Sequence, residues 1–324
     1  MTYKDYCGYL YGYDKVEGYS ILPHDRIEKP ATFYKYYALS SNSVDALTNM
    51  YVYATHPYQF NDPFDCNEKL IEFDSWDDVS YLMGEKYEEI RKVYPSLEDA
   101  CKFCITAFWN LLYRKVGLVS LATRPDNYQM WSLYSENYGF CIEFNVDNFP
   151  FKHFGPFPMN YTRDVPGAIH IGSDGGFVAM LIQTNIKNIW WKYENEWRLY
   201  IPNPVGLDMK YFGKENEMKE FNCGDEHDRK FRYPFQAVKS IILGPKFFDR
   251  LTTNVISSFE MDVSYPINRK SLEMDVLEFL AMITLKYKTP IFTAALSDFS
   301  NYNFVPIRIV KHTERSFKIF NEYD

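Results

Sequence analysis

Several things are scarce in this chain, and each scarcity removes a class of function. No apolar run approaches the roughly 18 residues that a membrane-spanning helix needs. The opening stretch, MTYKDYCGYLYGYDK, has neither the positive n-region nor the apolar h-region of a secretory signal. A cytoplasmic protein with no membrane partner is the expectation. No long basic run exists and the formal net charge is −8, which disfavours non-specific duplex binding through phosphates but leaves room for a local basic groove. The six cysteines, at 7, 66, 101, 104, 141 and 223, are too few to staple a chain of 324 residues. Cys101 and Cys104 form CKFC, but no second CxxC and no His pair accompanies them, so a tetrahedral zinc site lacks two ligands. No metal is expected there; buried thiols on a core helix are. Neither GxGxxG, GxxxxGK[ST] nor HExxH occurs, and there are no internal repeats or low-complexity tracts.

What the chain has in excess is aromatic surface. Aromatics make up 19% of it, with 28 Tyr and 26 Phe, and apolar residues 46%. A sizeable core is affordable, and rings fit pleated surfaces. Residues 1–30 show turns and tyrosines without a clear period, and are expected to be an N-terminal extension to one domain over 31–324. In that domain the pattern predicts strands at 31–39, 51–56, 116–123, 139–146, 193–201, 237–246 and 303–310. Helices are expected after Asn42 or Ser43 as N-cap, in an insertion near 75–115, at 127–137 with Gly139 as its stop, at 177–189, at 247–259 and at 272–287. Strands and helices mix without strict alternation, so the class is α+β rather than doubly wound.

Four constellations could carry chemistry. In WWKYENEWR (190–198), a strand running through KYENEWRLY would put Lys192, Glu194, Glu196 and Arg198 on one face and Tyr193, Trp197 and Leu199 on the other. Two carboxylates so close push one pKa up, which suits a shared polar site; a solvated edge face is the plain alternative. In FNDPFD (60–65), Asn61, Asp62 and Asp65 crowd an Asx-type turn that can hold a ribose, a cation or its own backbone. In MWSLYSENYGFCIEF (130–144), Trp131 and Tyr134 lie three apart on a short helix, a face able to stack on a planar ring or simply to pack. In FYKYY (33–37), Lys35 faces away from Tyr34 and Tyr36 and could anchor a phosphate.

Taken in order, these motifs over about 33–250 resemble the DUF2971 domain family of uncharacterised bacterial proteins, whose members look like YKYR, FNDPFD, MWSHYA…GFCIGF and W-x-YE-x-EWR. Tyr37 stands where the family has arginine, and Leu133 where it has histidine. A weaker resemblance links Glu194-x-Glu196, with FYKYY and YVYATH as earlier strands, to the ADP-ribosyltransferases. That resemblance implies a split, mainly antiparallel sheet with flanking helices, and NAD as a small-molecule nucleotide substrate. It implies that Glu196 stabilises positive charge on the ribose and that Glu194 orients or deprotonates the nucleophile. Tyr34, Tyr36 or Tyr53 would sandwich the nicotinamide, Lys35 would meet the pyrophosphate, and Asn61, Asp62, Asp65, Trp131, Tyr134 and Arg198 would complete the binding site. The product would be a transferase acting on a protein or nucleic-acid acceptor, or an NAD glycohydrolase, in the manner of a toxin or antiviral-defence effector. Two other readings stand beside it: a nuclease holding Mg²⁺ on Asp62, Asp65, Glu194 and Glu196, and a non-enzymatic binding module built on the aromatics.

Overall fold

The computed structural model describes residues 3–6, 9–14, 18–23, 27–62, 64–66, 71–151, 153–163, 169–170, 183–202, 229–265, 271–297 and 302–322. Eleven described strands form a central sheet. In chain order they are β1 (Phe33–Tyr37), β2 (Val116–Ala122), β3 (Phe140–Phe144), β4 (Phe154–Pro158), β5 (Glu196–Pro202), β6 (Val238–Leu243), β7 (Thr252–Val255), β8 (Glu260–Ser264), β9 (Ile291–Leu296), β10 (Tyr302–Thr313) and β11 (Ser316–Asn321). Their order across the sheet is β7-β8-β11-β10-β9-β6-β3-β1-β2-β5-β4. Every pairing is antiparallel except β6 with β9, where Ile241 lies opposite Ile291. The α+β class expected from the sequence therefore holds, with a mostly antiparallel sheet.

Strand alternation sorts side chains to two faces. On one face Phe33, Leu121, Ile142, Trp197, Leu199, Ile241 and Leu243 pack beneath helices α1 (Ser41–Thr48) and α6 (Leu272–Tyr287). Full burial of each such side chain stabilises the fold by about 1.5–3 kcal/mol. On the other face α5 (Tyr128–Tyr134) covers β1, β3 and β6 through Trp131, Tyr36, Cys141 and Ile242. Beside it, Leu118, Ile186 and Tyr200 meet a cluster built from α2 (Trp76–Met83) and α4 (Leu97–Lys115), with α3 (Tyr87–Val93) alongside. Cys101 and Cys104 are buried in that cluster, and burial pushes the Cys104 thiol up to about 12. Cys7 and Cys223 lie outside the described residues.

Several expectations are corrected. Three strands, 3–6, 9–14 and 18–23, form a separate antiparallel sheet in the stretch expected to be an irregular extension. The cap of α1 is Ser40, with Ser43 at the third helical position completing a capping box, so neither Asn42 nor Ser43 starts the helix. Gly139 does not terminate α5. That helix ends at Tyr134, and Glu136 and Asn137 make the left-handed turn at φ 53° and 63°. Gly139 is needed for proximity: a Cβ there would sit 1.8 Å from the Tyr37 carbonyl oxygen.

The stretch at 247–259 is a short 3-10 turn at Phe247–Arg250 followed by β7, because Thr252, Thr253 and Val255 favour extended backbone. The last strand is β11, paired back on β10, and β9 went unrecognised in PIFTAAL. The expected helix at 177–189 lies outside the described residues up to 182, and Ile186–Asn188 is a strand paired in parallel with Asn160–Thr162.

Candidate functional site

Three strands from one edge, the pairing of the sheet nearly fails. β2 and β5 share seven register pairs from Glu196↔Ala122 to Pro202↔Val116, and β1 pairs with β3 over its whole length. Between β1 and β2 there is a single pair, Tyr34↔Ala122. Past it the two strands part, and Thr55 bridges to Leu118 on the far stretch of β2. A cavity of about 250 Å³ lies at this parting. Its walls come from Tyr34, Lys35 and Tyr36 on β1, from Ser120 to Ala122 on β2, and from Thr55 and Gln59 to Asn61. Met130 and Tyr134 on α5, with Lys187, Glu194 and Glu196, close the rest.

Glu194 and Glu196 reach one wall by a route the sequence did not suggest. The strand begins at Glu196; Ile189–Glu194 is a 3-10 helix, and Asn195 turns the chain at φ 45°. Lys192 is therefore exposed and does not join the charged row. Lys187, from the Ile186–Asn188 strand, takes the place expected of it. Its Nζ lies 2.6 Å from Glu194 Oε2, 3.2 Å from Glu196 Oε2 and 3.8 Å from Asp65 Oδ2. From β5 onward, alternation is as expected: Glu196 and Arg198 face the site while Trp197 and Leu199 face the core.

Arg198 is wholly buried and ties the acids together. It donates to both Asp65 oxygens, at 2.7 and 2.5 Å, and through Nε to Glu196 Oε1 at 2.9 Å. It also donates to the Thr184 carbonyl at 2.5 Å and lies 4.5 Å from the Phe60 ring centre. A bidentate Arg–carboxylate pair fixes orientation as well as charge. The Glu196 amide donates to the Tyr161 hydroxyl at 2.8 Å, and Tyr134 Oη donates a short hydrogen bond to Glu194 Oε1.

These neighbours split the two carboxyls. Burial pushes the Glu194 carboxyl up, and Glu196 adds to this against the opposing pull of Lys187 and the Tyr134 hydroxyl. Burial also acts on Glu196, but Arg198 and Lys187 outweigh it and hold the carboxyl down to about 2. The formal charges of Asp65, Glu194 and Glu196 exceed those of Lys187 and Arg198 by one. Lys35 differs from both cations. Its Nζ donates to the Ser120 carbonyl at 3.3 Å. Burial lowers its pKa to about 8, with Glu196 opposing.

Not every residue singled out in the sequence meets the cavity. Trp131 is fully buried, donating to the Pro125 carbonyl at 2.7 Å and lying edge-on to Tyr36 at 5.0 Å, so it packs rather than stacks on a ligand. Tyr53 stands opposite Lys230 in a separate strand pair and is not among the lining residues. Asp62, Asp65 and Arg198 lie behind the lining, with Asp62 Oδ1 accepting the Phe64 amide at 2.9 Å in an Asx turn. Asn61 lines the cavity. The Tyr34 hydroxyl is engaged by Glu143 at 3.1 Å and that of Tyr36 by the Arg124 carbonyl at 3.0 Å, leaving their rings as wall. Sequence reasoning missed Lys187, Ser120, Tyr161 and Met130. Lys187 sits in the mostly polar stretch QTNIKN, which carries no signal of its role.

No protein-family model, no curated protein and no solved structure matches the chain.

Proposed function

We propose that this protein cleaves the nicotinamide–ribose bond of NAD, as an ADP-ribosyltransferase or an NAD glycohydrolase. The observation that carries the proposal is the meeting of Glu194 and Glu196 on one wall of a cavity set in a parted antiparallel sheet. Both the Glu-x-Glu spacing and the parting accord with the resemblance to the ADP-ribosyltransferases. The order of motifs likewise supports membership of the DUF2971 family.

The chemistry requires negative charge beside a ribose that becomes oxocarbenium-like. The acid cluster retains one formal negative charge, and Glu196 is the carboxylate held ionised by its neighbours. In this reading Glu196 faces the ribose. Glu194, whose carboxyl is raised, takes the proton from the water or acceptor that attacks. At about 250 Å³ the cavity falls below the roughly 300–1,000 Å³ of pockets that enclose a drug-sized ligand, so it would take the nicotinamide riboside end and leave the adenylate outside. Tyr34, Tyr36 and Met130 offer flat apolar wall to the base.

The test is nicotinamide release by purified protein. Glu196→Gln keeps shape and hydrogen bonding but removes charge, and its turnover should fall at least about 10²-fold. NAD binding should change far less, because the interaction belongs to the transition state. Full activity in folded Glu196→Gln rejects the assignment. Nucleic-acid cleavage that stops with EDTA and returns with Mg²⁺ would favour a nuclease instead.

A further inference from the structure

We propose that Lys35 is a nucleophilic amine that captures a small neutral aldehyde entering the cavity, forming a Schiff base. This goes beyond NAD cleavage and does not depend on it.

The argument begins with what surrounds the amine. Among the described residues, Lys35 Nζ has one hydrogen-bond acceptor, the Ser120 carbonyl oxygen at 3.3 Å, and no carboxylate within ion-pair distance. The Tyr37 ring lies 5.5 Å from it. An ammonium has three donors, so this is sparse satisfaction for a charge on an enclosed wall. Lys187, on the same cavity, has three carboxylates within 4 Å. An amine without a partner in a desolvated place favours its neutral, nucleophilic form.

Location completes the site: Lys35 lines the cavity together with Glu194, which accepts the Tyr134 hydroxyl. The steps balance without a redox partner. The Lys35 nitrogen attacks the carbonyl carbon, a C–N bond forms, and the carbonyl oxygen takes its proton from the neutral Glu194 carboxyl, which becomes a carboxylate. The nitrogen releases a proton to the Glu194 carboxylate. The protonated Glu194 then returns it to the carbinolamine hydroxyl, which leaves as water as the C=N bond forms. The cavity volume of about 250 Å³ limits the guest to a few carbons.

The experiment uses the intact protein with propionaldehyde and sodium cyanoborohydride, followed by peptide mass spectrometry. Lys35 should be alkylated at least about 10-fold faster than the exposed Lys102, since partnered surface amines are mostly protonated. Its rate should rise through pH 8, and Glu194→Gln should slow it about 10-fold or more. Lys35 labelling no faster than Lys102, or only after urea unfolding, would overturn the proposal. Wild-type protein suffices for the central comparison, and a folded Lys35→Arg variant should lose the label while leaving Lys102 unchanged.

Discussion

Lys187 and Lys35 open onto the same cavity and have opposite chemistry. Lys187 is buried among Asp65, Glu194 and Glu196, which overcome the burial that would lower its pKa and raise it instead. Lys35 has only a carbonyl to lean on, and burial takes its pKa down to about 8. The residue type is the same, and burial pulls both pKa values down. The difference lies in the counter-charge, and it turns one lysine into a structural tie and the other into a chemical group. The neighbouring acids repeat the lesson: Glu196, with two cations, falls to about 2, while Glu194, with one cation and a hydroxyl, rises.

The strongest way to break this contrast is at the shared tie. Arg198→Met leaves Asp65 and Glu196 buried without their main counter-charge and should cost about 3–5 kcal/mol in urea unfolding. A neutral result would mean that the acids rehydrate freely. Lys187→Met should cost about 3 kcal/mol by the same reasoning, and should raise the Glu194 carboxyl further.

Lys35→Met should move stability the other way, by about 1–2 kcal/mol at pH 7, because it removes a charge that burial disfavours. The sign follows from its folded pKa lying below the unfolded one. The penalty is complete below about pH 8 and fades as pH rises toward 10.5, so wild type and variant should converge there in thermal melts. A Lys35→Met protein less stable than wild type at pH 7 would show that the amine has a partner after all.

The smallest effect belongs to Tyr134→Phe, about 1 kcal/mol for one hydrogen bond. Carbonyl-detected NMR titration should find the Glu194 carboxyl higher in the variant. In the wild type, Glu196 contributes stability above pH 4.5 that is lost as pH falls toward about 2. Glu194 acts oppositely, its contribution declining as pH rises above 4.5 through its elevated value.

Local rules made much of this legible. The insertion near 75–115 announced its helices by Ser followed by acids, and α6 by an apolar run after Ser271. β5 was readable because Trp197 and Leu199 alternate with Glu196 and Arg198. What escaped depended on distant partners. Asn195 takes φ 45°, a local choice that breaks the strand pattern of YENEWR without a glycine to signal it. Lys187 becomes important only because a parallel pairing with Asn160–Thr162 brings it under residues 194 and 196, and nothing in the spacing of IKN encodes that partner. Trp131 looked like a stacking platform because helical spacing pairs it with Tyr134, yet the helix turns the indole inward and leaves only the phenol at the cavity.

The single Tyr34↔Ala122 pairing also has a mechanical meaning. Eight strands stand on one side of that seam and three on the other, so the sheet is least stiff where its cavity opens. A molecule lodged past the seam would stand in for the missing rungs of the ladder. Occupancy and sheet continuity then become one variable. Amides of residues 35–37 and 120–122 should exchange with solvent faster than those of β3 in the empty protein and slow together when the gap is filled, which makes the seam its own reporter.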